Sequence, residues 1–164
     1  MKIFLMLSVG LLGLSSELPA QAPSPGGAVA AVAKLYRDFA GLAVIDDSQL
    51  SGDGLINQPR SVLTRYVDDS LATLILKDRA CVAREELICN LDFDPVWDSQ
   101  DPVGTTVRIL ATSDTSVVLV KLRHFERPKI RQLTYRMVET PAGWRVHDIE
   151  YDSGTSLMKI LQRP

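Results

Sequence analysis

The sequence predicts an α+β fold: N-terminal helices packed on a curved four-stranded antiparallel meander, followed by a short C-terminal helix. Three observations predict it. Apolar residues recur at three- and four-residue steps in the first half, and at two-residue steps after Pro102. The alternating segments follow one another through short turns, which favours antiparallel pairing of neighbours. Helices first and strands afterwards put the two layers on separate stretches of chain.

From Gly27 onward, Ala28, Val32, Leu35, Tyr36, Phe39 and Ala43 share one helical face, with Gly41 weakening the end. Asp46 to Gly54 is a polar loop. It resembles a calcium loop only superficially, because Leu50 and Leu55 interrupt the ligand alternation and no glutamate closes it. A second helix is expected from Pro59, with Val62, Tyr66, Val67, Leu71, Leu74 and Ile75 on one face, fraying near Asp78 to Cys81.

Val103, Thr105, Val107 and Ile109 then alternate with polar residues up to a turn at Ser113-Asp114. Ser116 to Phe125 is a β-branched run, and Arg131 to Glu139 alternates Leu133, Tyr135 and Met137 with polar neighbours. The turn Thr140 to Gly143 leads into a last strand ending at Tyr151. Gly154-Thr155-Ser156 starts a short helix reaching Leu161.

The N-terminus carries Lys2, an apolar run from Ile3 to Leu14 and the small-x-small ending Ala20-Gln21-Ala22. That pattern reads as a secretory signal peptide over residues 1–22, cleaved after Ala22. The run is too short for the roughly 20 residues that span a bilayer. Residues 23–27 form a Pro/Gly/Ser spacer, and 28–164 a single domain. The expected location is therefore periplasmic or secreted, with no membrane span once the signal is removed. A net charge of −2 lacks the basic footprint of nucleic-acid binding.

An oxidising compartment makes Cys81 and Cys89 candidates for a disulfide. Eight residues of continuous helix would hold them about 12 Å apart, whereas a disulfide needs Cα atoms within about 7 Å. The helix must break between them. Their spacing matches neither a CxxC redox pair nor, with two distant histidines, a good zinc set.

The segments Leu91-Asp92-x-Asp94-Pro95, Gln100-Asp101, Gly143-Trp144-x-Val146-x-Asp148-Ile149, Tyr151 and Gly154-x-Ser156-Leu157 resemble a bacterial family of small exported proteins of unknown function. That family lies within the nuclear-transport-factor-2-like (cystatin-like cone) superfamily. The likeness runs from the first helix to the C-terminus. It implies export and a concave pocket between helices and sheet, and it implies no reaction.

Superfamily enzymes place Asp, Tyr or His inside the cone. By strand parity the inward candidates are His124, Tyr135 and Asp148, the last sharing a phase with Trp144 and Val146. His147 and Asp148 are strand neighbours, so they point to opposite faces unless a bulge intervenes. The structural reading of His124 is a strand-end residue that is hydrogen-bonded or solvated. That of Tyr135 is a half-buried aromatic whose hydroxyl reaches water.

In the acidic block, Asp92, Asp94, Asp98 and Asp101 suit turns and caps, a partner-binding surface, or a hard cation, in that order. Trp97 is a core or groove plug or, where partly exposed, an anchor for a ligand or protein partner. No nucleotide loop or nucleophile motif is present, and neither cofactor nor metal is expected.

The sequence thus points to an exported, non-catalytic binding module holding a ligand or a periplasmic protein. An immunity-type inhibitor of a cell-wall-degrading toxin and a small-molecule isomerase or hydrolase stay open beside it.

Overall fold

A computed structural model describes residues 27–41 and 53–163. The proposed signal peptide, most of the spacer, Ala43 and nearly all of the Asp46–Gly54 loop lie outside the described residues. Helix α1 spans Gly27–Asp38 and buries Ala28, Val32, Leu35 and Tyr36. A 3-10 turn at Leu55–Asn57 and a single helical turn, α2 (Arg60–Leu63), lead into α3 (Asp69–Glu85). Four strands follow: β1 (Thr105–Ala111), β2 (Val117–His124), β3 (Arg131–Thr140) and β4 (Gly143–Tyr151). Helix α4 (Leu157–Leu161) closes the chain, with the Ser156 side chain accepting from the Lys159 N–H as its N-cap.

The sheet has the order β1-β2-β3-β4 with every pair antiparallel, so the expected meander is the observed one. Its inner face carries Val118, Val120 and Leu122 of β2 and Leu133 and Tyr135 of β3, all without solvent exposure. A one-residue slip of β2 would drive Lys121 and Arg123 into that layer instead. Burying an unpaired cation costs several kcal/mol, so the register is strongly specified.

The expected single second helix is in fact two. After Leu63 the backbone leaves the helix, and Tyr66 to Asp68 lie against the outer edge of β4. The Val146 N–H donates to the Tyr66 carbonyl at 2.8 Å, and the Asp68 N–H donates to the Val146 carbonyl at 3.0 Å. Two backbone bonds to an otherwise open edge outweigh one continued helical turn. Asp68 then N-caps α3, accepting from the Leu71 N–H at 2.8 Å.

Helix α3 does not fray near Cys81 but continues to Glu85. It ends where Glu86 adopts a left-handed conformation, φ 55°. That reversal supplies the required break, and Cys81 and Cys89 form a disulfide with Cα atoms 6.2 Å apart. Asp78, buried on α3, accepts from the Asn90 N–H at 2.9 Å and fastens the returning chain. No helix among the described residues is long and apolar enough to cross a membrane.

Candidate functional site

The stretch after the disulfide is turned inward. Asp94 accepts from the backbone N–H groups of Val96 at 2.9 Å and Trp97 at 3.3 Å, folding a tight Asx turn. Protein packed around its carboxyl pushes the Asp94 pKa up to about 6, against the lowering effect of those two bonds. The turn delivers Val96 and Trp97 into the core, each no more than 2% exposed. Tyrosine hydroxyls hold it from behind. Tyr36 donates to the Val96 carbonyl at 2.7 Å and Tyr151 to the Pro95 carbonyl at 3.3 Å.

The four carboxylates do not converge. Asp98, at φ 49°, faces Arg131, whose guanidinium bonds the Asp98 carbonyl and lies 3.6 Å from its carboxylate. Burial raises the Asp98 pKa while Arg131 opposes the rise. Asp101 accepts from the Val103 N–H at 3.2 Å and Asp92 is exposed. Among the described residues no three His, Cys, Asp or Glu side chains come together.

Of the three inward candidates, two face the core. Tyr135 is completely buried, contrary to the half-buried expectation, and its hydroxyl lies 2.9 Å from that of Tyr36. Burial foremost drives the pKa values of both phenols up, so both stay protonated at neutral pH. His124 is buried at the end of β2, where its Nδ1 accepts from the Glu126 N–H at 3.2 Å.

Asp148 does not share the inward phase. The register shifts between Arg136 and Met137, pairing Arg136 with Asp148 but Met137 with Val146, so His147 is the extra residue of a bulge. Asp148 accepts from the N–H groups of Ile149 and Met158, both within 2.9 Å, and thereby fastens α4. His147 instead meets Asp68, Nδ1 to carboxylate 2.6 Å. Asp148, Tyr135 and His124 are therefore each engaged in separate structural contacts.

The inner face of the sheet is filled by side chains. Among the described residues, one open groove, of about 340 Å³, lies between α1 and edge strand β1. Ala33, Tyr36 and Arg37 of α1, with Ala40 just past its end, form one wall, Thr105, Val107 and Ile109 of β1 the other, with Trp97 beside them. Two of these residues hold buried polar atoms, the Trp97 indole N–H and the Thr105 hydroxyl, with no hydrogen-bond partner among the described residues. Buried polar groups are paired in the great majority of folded proteins, so two at one groove are informative. The charged Arg37 stands exposed at the rim.

Sequence reasoning named Trp97 but missed Thr105 and the groove. The alternation of Thr105, Val107 and Ile109 was visible; that α1 leaves them partly uncovered was not.

No protein-family model matches the chain, and no curated protein matches it. Among solved structures, a phospholipid-binding protein from Ralstonia solanacearum, determined in complex with a phospholipid, is similar at a TM-score of 0.33. It shares 17% identity over 84% of this chain and 70% of that one. A likeness at this level leaves the groove to be argued from its own geometry.

Proposed function

We propose that the protein is an exported, non-catalytic binding module. Its groove between α1 and β1 takes a slender apolar molecule ending in a carboxylate or carbonyl. The carrying observation is that two residues lining the groove hold unpartnered buried donors, the Trp97 N–H and the Thr105 hydroxyl. Both can donate to an acceptor oxygen. Val107, Ile109, Ala33 and Ala40 suit an alkyl body, and Arg37 at the rim suits an anionic end. Export is supported by the Cys81–Cys89 disulfide, which persists in oxidising compartments.

The test is a titration with decanoate and decanol, read by tryptophan fluorescence in a Trp144→Phe background so that Trp97 alone reports. Saturable binding that favours decanoate is expected. Thr105→Val should weaken it about fivefold through loss of one hydrogen bond. The same substitution should leave the ligand-free fold as stable or up to about 1 kcal/mol more so, because an unsatisfied hydroxyl disappears. Ala40→Trp should block the groove. Saturable binding by neither probe, or full binding by Ala40→Trp, would refute the reading.

A protein-inhibitor role has one observation in its favour. Leu87 and Ile88, 70% and 69% exposed, sit side by side in the loop closed by the disulfide, a pre-organised apolar tip. Loss of a co-purifying periplasmic protein on Leu87→Asp/Ile88→Asp would support that role; unchanged recovery would sink it.

A further inference from the structure

The face of the sheet turned away from α1 is unevenly charged. Residues 121–129 contain four cations, Lys121, Arg123, Arg127 and Lys129, against the single acid Glu126, although the whole chain carries −2. On the outer face Arg108 of β1 stands directly opposite Lys121 of β2, and Arg123, opposite Thr106, is its diagonal neighbour. All three are exposed, and none has an ion-pair partner among the described residues. Like charges directly across a sheet destabilise it, so this arrangement is not explained by fold stability.

At the same end, the loop between β2 and β3 exposes two large apolar side chains, Phe125 (73%) and Ile130 (49%), interleaved with Arg127 and Lys129. Phe125 is exposed yet seated. Its ring stacks on His124 at 5.0 Å, and its N–H donates to the Gly104 carbonyl at 3.2 Å. Gly104 has φ +75°, and a Cβ there would lie 2.1 Å from the Phe125 ring. The missing side chain at Gly104 is what lets the ring rest against the sheet.

We infer that this face, formed by Arg108, Lys121, Arg123 and the Phe125–Ile130 loop, docks on an anionic lipid bilayer. Phosphate headgroups would neutralise the cation row, and Phe125 and Ile130 would enter the boundary between headgroups and acyl chains. Long basic side chains beside exposed aromatic and aliphatic groups are the amphipathic pattern of an interfacial surface. Charge complementarity selects acidic over neutral lipid, by about fivefold per cation near the surface. This surface uses the outward residues of β1, whereas the groove uses the inward ones, so either can fail without the other.

The test is vesicle co-sedimentation of protein purified from cells expressing the full gene, with all variants sharing one N-terminus. Phosphatidylcholine vesicles are compared with vesicles containing about one third phosphatidylglycerol, at low and high salt. Binding to the anionic vesicles alone, weakened by salt, is expected. The Arg108→Gln/Lys121→Gln/Arg123→Gln variant should lose on the order of 100-fold in partitioning. Phe125→Ser/Ile130→Ser should weaken binding while keeping the salt dependence.

Unfolding midpoints close to that of wild type are required of these surface variants, so that lost partitioning reports on the surface and not on folding. Equal binding to neutral vesicles, or wild-type partitioning by the triple glutamine variant, would overturn the inference. Retention on immobilised polyglutamate without vesicle binding would overturn it in favour of an acidic protein partner.

Discussion

Asp94 joins local chain geometry to stability more directly than any other side chain in the acidic block. Its carboxyl builds the turn that delivers Trp97, yet burial lifts its pKa from 3.8 to about 6. The folded protein therefore binds this proton more tightly than the unfolded chain does. Its contribution to stability is fully present below pH 3.8, falls as pH rises to about 6, and is flat above. The full effect is about 3 kcal/mol, at about 1.4 kcal/mol per pKa unit. Asp94→Asn keeps an acceptor for the Val96 N–H but carries no charge. Urea midpoints from about pH 4 to pH 7 should then lose most of their decline, leaving the variant at least as stable as wild type at neutral pH. An unchanged slope would assign the dependence to other groups.

Glu86 makes a simpler case at the same scale. A left-handed residue ending a helix is usually glycine, and a side chain there costs roughly 1 kcal/mol. Glu86→Gly should therefore raise the unfolding midpoint by up to about that amount, offset in part by glycine's greater unfolded entropy.

Among the elements, the break between α2 and α3 and the bulge in β4 share a cause: both serve the edge of the sheet. The apolar pattern from Val62 to Ile75 fits one helix, and nothing local forbids it. What overrides it is the pairing of Tyr66 and Asp68 with Val146, a contact some 80 residues distant in sequence. The bulge likewise frees His147 to reach Asp68 and turns Asp148 towards α4. Parity arguments fail at such a point because one extra residue inverts the phase of all that follows.

The disulfide is the third such device and the one legible beforehand, since its geometry forbids continuous helix. Replacing both cysteines with serine should cost about 2.5 kcal/mol for so short a loop. Differential amide exchange should place the loss at the end of α3 and the loop to Asn90. A variant as stable as wild type would mean that the Asp78–Asn90 bond holds this region unaided.

For the whole molecule, strand order, the strand boundaries to within a residue or two, and the meander were all readable from period and turns. The groove was not. It depends on how far α1 covers β1, which is set by packing across the molecule rather than by either segment. Nor could composition reveal that Trp97 and Asp94 face the core together, since an Asx turn at Asp94 reads equally well as a surface turn.

The same sheet makes a prediction about how stability is distributed. Strands β2 and β3 are paired on both sides, while β1 and β4 are edges. The edges are unequal, because the Val146 N–H of β4 donates outward to Tyr66 whereas β1 flanks the open groove. Hydrogen exchange should find the slowest amides in β2 and β3, where opening approaches global unfolding. Val146 should exchange slowly for an edge residue, and the amides of β1 that point away from β2 should exchange fastest within the sheet. Decanoate in the groove should slow β1 selectively, since a ligand that bridges α1 and β1 stabilises the closed state by mass action. Equal protection of the two edges would show that the Tyr66–Asp68 segment does not hold β4 in solution.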